Sequence, residues 1–206
     1  FINKPMAKDT SGSFYGQVVA ARSRGAVEAA KLGAVAIVIR SVGTSNNRFA
    51  HTGTMKYDEA IPKIPAVAIS VPDAQNLAKM LERSPKVELK LQMDNQLQTA
   101  TSHNVIAEIT GTEKPEEIVL ISGHLDSWDQ GTGALDDGAG VALAMATGAL
   151  IKQKARPKRT IRVVLYGNEE GGLLGARAYA AKHHKDLDKH ILAAESDFGA
   201  GRIWQI

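Results

Sequence analysis

The sequence predicts an α/β fold built in two units. Two short runs, 34–39 and 64–69, are apolar throughout, as expected of strands covered on both faces. Helical stretches alternate with such strands along the chain, the pattern of a sheet whose ligands sit beyond its strand ends. A polar stretch over 94–103 separates two compositional units, read as 1–95 and 96–206.

The first unit opens in what reads as strand. Residues 20–32 predict an Ala-rich helix, with Val19, Val27 and Ala30 near one face and Gly33 as its terminating residue. The strand over 34–39 follows. Residues 41–61 are polar and aperiodic, which predicts a long loop before the strand over 64–69. Ser70 and Asp73 suit a helix start with Pro72 in the first turn, and 74–82 carry that helix. Val87, Leu89, Leu91 and Met93 alternate with polar residues and predict a half-exposed strand. In the second unit, 105–109, 118–122, 161–166 and 191–195 read as strands. The helices are 139–152 and 173–183. Residues 111–117 form a turn, and a Gly-rich loop over 131–140 leads into the first of these helices.

Composition narrows the function classes. Hydrophobic residues make up 44% of 206, enough for a packed core and too many for a disordered chain. The formal net charge of +3 divides into +5 over 1–98 and −2 over 99–206. The basic residues are scattered rather than gathered into a stripe, which argues against nucleic acid. The acidic excess of the second half suits a site that holds cations. The absence of cysteine excludes disulfides and Cys-ligated zinc. No apolar run is long enough to span a membrane. The chain starts at Phe1 without a Met, so the natural N-terminus and any targeting segment are expected to be missing.

Four predicted strand exits carry candidate chemistry: Gly123-His124-Leu125-Asp126-Ser127, Asp136-Asp137-Gly138, Asn168-Glu169-Glu170-Gly171 and Glu195-Ser196-Asp197. Each alone has an ordinary reading. A histidine can cap a strand, an Asp pair can form a turn, and a Glu pair suits a helix N-terminus. Several carboxylates converging on one crevice, however, raise one another's pKa and need a divalent cation to neutralise them. His and carboxylate donors without Cys favour zinc or a similar first-row ion in a hydrolytic role. Trp128 either lines the cleft or packs its loop. His51 and His103 read as ordinary surface or linker residues. Lys152, Lys154, Arg156, Lys158 and Arg159 read as a solvated helix end and turn.

The segments SGHLDSWDQGTGALDDGAG, PKRTIRVVLYGNEEGGLLGARAYA and ESDFG resemble the co-catalytic two-zinc exopeptidases, in the branch that includes carboxypeptidase Q and bacterial aminopeptidases. The resemblance covers about 104–206. GAVEAAKLGAVAIVI and IPAVAIS in the first unit resemble a protease-associated domain. The implied architecture is the zinc-exopeptidase sheet with helices on both faces, present in part, after a small protease-associated α/β domain. The implied cofactors are two Zn2+ per complete site. His124 and Asp197 would bind one ion and Glu170 the other. Asp136 would bridge them with its two carboxylate oxygens, and the Asp136–Asp137 peptide would be cis. Asp126 would hydrogen-bond the imidazole and fix its tautomer, and Glu169 would be the general base for a water activated by the two ions.

The implied activity is hydrolysis of terminal bonds in short peptides or dipeptides, with the end preference open. The implied location is secreted or periplasmic. The expected partner is a peptide substrate, without nucleic acid or a membrane span, and a homodimer is the candidate assembly. The family places a further His on the second ion downstream of ESD. Residues 1–206 hold no counterpart, since His183, His184 and His190 lie on or beside a helix, so the chain is expected to be a fragment. The competing readings are a non-catalytic binding or receptor module on the same fold, and a transferase-like or cyclase variant.

Overall fold

The computed structural model describes residues 1–202 except Leu97, Asp129, Gln130, Ala155 and Phe198. It divides into two compact units, Phe1–Leu97 and Gln98–Ile206.

In the first unit the predicted helix starts earlier and breaks into three pieces: α1 (Phe14–Val18), α2 (Ala20–Ser23) and α3 (Gly25–Lys31). The breaks fall at Val19 and at Arg24, whose ψ of −3° leaves the helical range. Gly33, at φ +83°, ends α3 as expected: its N–H bonds the Ala30 carbonyl and that of Ala34 bonds Ala29. β1 (Ile37–Arg40) and β2 (Ala66–Ile69) pair in parallel. The expected opening strand shrinks to a single bridge between Ile2 and Ile39. α4 (Val71–Arg83) is capped by Ser70, whose hydroxyl accepts the Asp73 N–H at 3.2 Å. A core of Ala26, Ile37, Ile39 and Ile64 packs α3 against the two strands.

The strand expected over Val87–Met93 does not form; residues 86–96 have no regular structure. Leu89, Leu91 and Met93 remain exposed. Alternation supplies a face for a strand but not a neighbouring edge, and without ladder hydrogen bonds the pattern is not realised.

The second unit is a four-stranded mixed sheet in the order β3-β5-β4-β6. β3 (Val105–Ile109) runs antiparallel to β5 (Arg159–Tyr166). β4 (Lys114–His124) and β6 (His190–Glu195) run parallel to β5 and β4, respectively. The turn expected over 111–117 gives way to strand from Lys114, with an irregular register between Lys114 and Ile118. α5 (Gly138–Lys154) and α6 (Leu174–Lys182) lie in the connections between the parallel strands.

Packing identifies the two faces of this sheet. Ile118, Leu120, Val164 and Tyr166 meet Tyr179 and Ala176 of α6, whereas Ile121, Val163 and Leu165 meet Val141 and Ala144 of α5. Alternate residues of β4 and β5 therefore feed opposite faces. The three parallel strands end on one side of the sheet, and the motif-bearing loops leave from those ends. Among the described residues no helix is long and apolar enough to cross a membrane.

Leu120 is 3% exposed within the α6-facing core. Leu120→Ala should cost about 2–5 kcal/mol of unfolding free energy, read as a lower denaturant midpoint in chemical denaturation.

Candidate metal centre

His124 is the last residue of β4, and its ring is completely buried. Its Nδ1 lies 2.9 Å from the backbone carbonyl of Asp126. A carbonyl only accepts, so Nδ1 carries a proton and Nε2 is the atom left to face the crevice. There Nε2 meets Asp136 Oδ1 at 3.0 Å and Asp197 Oδ1 at 3.1 Å. Donor atoms of the three residues all lie within 4.8 Å of one another. In a tetrahedral zinc site with bonds of about 2.0–2.1 Å, neighbouring donors stand about 3.3 Å apart. Nε2 stands near that spacing from each of the two carboxylates, so the group is of a size to take one cation.

Burial pulls the His124 pKa down, but the Asp197 carboxylate, the Asp126 carbonyl and the Asp137 charge push harder, and it rises from 6.5 to about 9. Burial raises Glu169; His124 opposes this, while Asp197, Asp126 and Asp136 add to it. Glu170 is raised by burial, Asp136 and Glu169, against a lowering contribution from His124 and from a hydrogen bond with Trp128. Glu195 is raised by burial and by Asp197. The crevice thus gathers more negative charge than one imidazolium neutralises, the condition that a bound divalent cation relieves.

Two aspartates hold backbone. The Asp126 carboxylate accepts the Glu169 N–H at 2.8 Å and the Glu170 N–H at 3.0 Å, while its Oδ1 lies 3.7 Å from His124 Nδ1. The expected imidazole contact therefore comes from the Asp126 carbonyl rather than its side chain. The carboxylate is drawn away because two converging amides give it two charge-assisted bonds. Asp137, which the sequence also allowed as a turn former, is 1% exposed. Its oxygens accept the His124 N–H at 2.9 Å and the Gly140 N–H at 3.1 Å, tying the end of β4 to the start of α5. Its adjacency to Asp136 in a Gly-rich loop was the available signal. The Asp136–Asp137 peptide is cis.

Gly140 is required by close approach, since a Cβ there would lie 1.8 Å from the Ser196 carbonyl. Asp136 and Asp197 line a cleft of about 580 Å³ together with Leu135 and Gly199 to Gly201. Trp128 reaches the site through its bond with Glu170. His51 stands in the first unit, 3.1 Å from an Arg22 nitrogen, and His103 is exposed. His183 stacks on Tyr179, and His190 lies 2.7 Å from the Tyr179 hydroxyl.

Comparisons with known proteins converge on one group. Residues 104–201 match the model of Peptidase family M28. Carboxypeptidase Q of Mus musculus is 46% identical over 187 residues, which cover 90% of this chain and 40% of that protein. The crystal structure of a Peptidase M28 precursor from Shewanella amazonensis SB2B superposes with a TM-score of 0.91 at 53% identity, covering 99% of this chain and 47% of that one. An aminopeptidase from Aneurinibacillus sp. strain AM-1 gives 0.52 at 26% identity, covering 81% and 40%. The chain thus spans about 40% of the length of the curated relative.

The raised His124 pKa fixes a sign. The protonated ring is favoured by folding, so its stabilisation is complete below pH 6.5 and lost as pH rises through about 9. Chelator-treated protein should show a falling melting temperature across that window, and His124→Gln should remove the step.

Proposed function

We propose that this chain, whose residues 104–201 match the model of Peptidase family M28, is part of a two-zinc exopeptidase cleaving single terminal residues from short peptides, dipeptides above all. The supporting observation is the buried His124 ring, with Nδ1 spent on a carbonyl and Nε2 set between two carboxylates. A geometry that gathers residues from three separate segments around one cation-sized space suits metal-dependent hydrolysis better than a simple binding surface. Relatives named carboxypeptidase Q and leucine aminopeptidase point to the same class of bond.

In this reading His124 and Asp197 would hold one zinc, Glu170 would hold the other, and Asp136 would serve both. When bound, the ions supply Lewis acidity, polarising the peptide carbonyl and easing loss of a proton from water. Glu169 takes that proton and returns it to the leaving amine. Its pKa, lifted first by burial, lies nearer the working range of a general base than that of an ordinary carboxylate. Asp126 aligns both glutamates by gripping their amides, and the Trp128 indole steadies Glu170. The first unit is assigned as a protease-associated domain over 1–95, followed by the catalytic unit over 96–206. A secreted or periplasmic setting completes the proposal.

Glu169→Gln should lower kcat about 10²- to 10⁴-fold while zinc content stays near that of the parent; retained activity removes the general-base assignment. Asp136→Ala should bind less zinc by elemental analysis, and two full equivalents in that variant refute bridging.

A further inference from the structure

We propose that Asn104 is a positioning residue for Glu169, an inference that rests on Glu169 acting as the general base. Asn104 stands one residue before β3, next to the carboxyl end of β5, because the two strands are antiparallel and Val105 pairs with Leu165. Its side-chain Oδ1 accepts the Gly167 N–H at 3.0 Å, and its Nδ2 donates to the Gly175 carbonyl at 2.8 Å. The partners fix the amide's orientation, since one can only donate and the other only accept.

Gly167 follows the last residue of β5, and Gly175 is the second residue of α6. One amide group therefore clips together both ends of the loop that carries Glu169 and Glu170. That loop is irregular. Asn168 and Leu173 hold φ of +56° and +62°, and Gly172 holds +123°. Its internal bonds converge on its own backbone: Leu173 N–H to Glu169 O at 2.7 Å, and Leu174 N–H to Asn168 O at 2.9 Å. Such a loop keeps its shape only if its ends are pinned.

Asp126 pins the middle through the Glu169 and Glu170 amides, and Asn104 pins the base. The base is also closely packed: a Cβ at Gly175 would lie 2.3 Å from the Gly167 carbonyl and 2.5 Å from Asn104 Oδ1. Serine and alanine at 104 cannot span both contacts, and an ionised aspartate lacks the donor. Asparagine combines the reach with one acceptor and one donor. The Glu169 carboxylate thereby inherits its position from a residue far away in sequence and outside the four acidic motifs.

The test uses active protein, a dipeptide substrate, zinc analysis and thermal melts in parallel. Asn104→Asp keeps the size and the acceptor but sets an oxygen against the Gly175 carbonyl; Asn104→Ala removes both bonds. Displacing a general base by about 1 Å costs on the order of 10²-fold, so kcat should fall about 10- to 100-fold with KM and zinc content within about twofold. In a Glu169→Gln background the same substitutions should lower the residual rate by less than about twofold, because the group they position is gone. Three results overturn the inference: kcat of Asn104→Asp within about twofold of the parent, an undiminished fall in the Glu169→Gln background, or zinc loss matching the loss of rate. If Asn104→Ala does not fold, Asn104→Asp decides; if neither folds, Asn104→Gln, which keeps both polar atoms but sets them one methylene further out, carries the same readout. Full activity of Glu169→Gln with Asn104 intact removes the general-base reading itself, and this inference with it.

Discussion

A single buried imidazole organises the second unit. His124 ends the strand from which α5 departs, and its ring is wrapped so that one nitrogen faces a carbonyl and the other faces Asp136 and Asp197. To place it there, the fold needs β4 and β6 parallel, their ends level, and the Asp136 loop folded back over them. The close approach of Gly140 to Ser196 and the bond from Asp137 to the His124 amide bring those pieces into register. The negative charge gathered around the ring is the electrostatic debt of this arrangement, the kind that a bound divalent cation would discharge.

Beyond the trio lies a layer of side chains whose polar atoms hold peptide groups. Asp126 and Asp137 each accept two backbone amides, and Asn104 bridges an amide and a carbonyl. These contacts link loops that leave different strands. Loops leaving separate strand ends vary readily in position, and such cross-bonds hold donor atoms to the tolerance that metal coordination and proton transfer demand.

Periodicity and local signals made much of the fold legible. The strand read at 161–166 stands within β5 (Arg159–Tyr166), the five residues of β3 stand where they were read, and Ser70 and Gly33 delimit their helices as their chemistry requires. The failures share a cause. Val87–Met93 alternates as a strand should, but a strand also needs an edge to pair with, which is nonlocal. β4 begins earlier than expected because pairing with β5 extends it through polar residues that local reading assigns to a turn. At the site, residue types and motif order pointed to His124, Asp136, Glu169, Glu170 and Asp197. The contacts of Asn104 were hidden because both of its partners are distant in sequence, and those of Asp137 were hidden in part, because the His124 amide lies in another motif although the place beside Asp136 gave a local signal.

Asp126 illustrates how one position can serve two masters. Its carbonyl sets the proton on the His124 ring, and its carboxylate grips the glutamate loop. The first task belongs to the main chain and survives any replacement that preserves the local path. The second is written in the side chain alone. Mutational drift at this site would therefore erode the alignment of the glutamates while leaving the imidazole tautomer intact, so the two halves of the centre carry unequal genetic fragility although a single codon stands behind both.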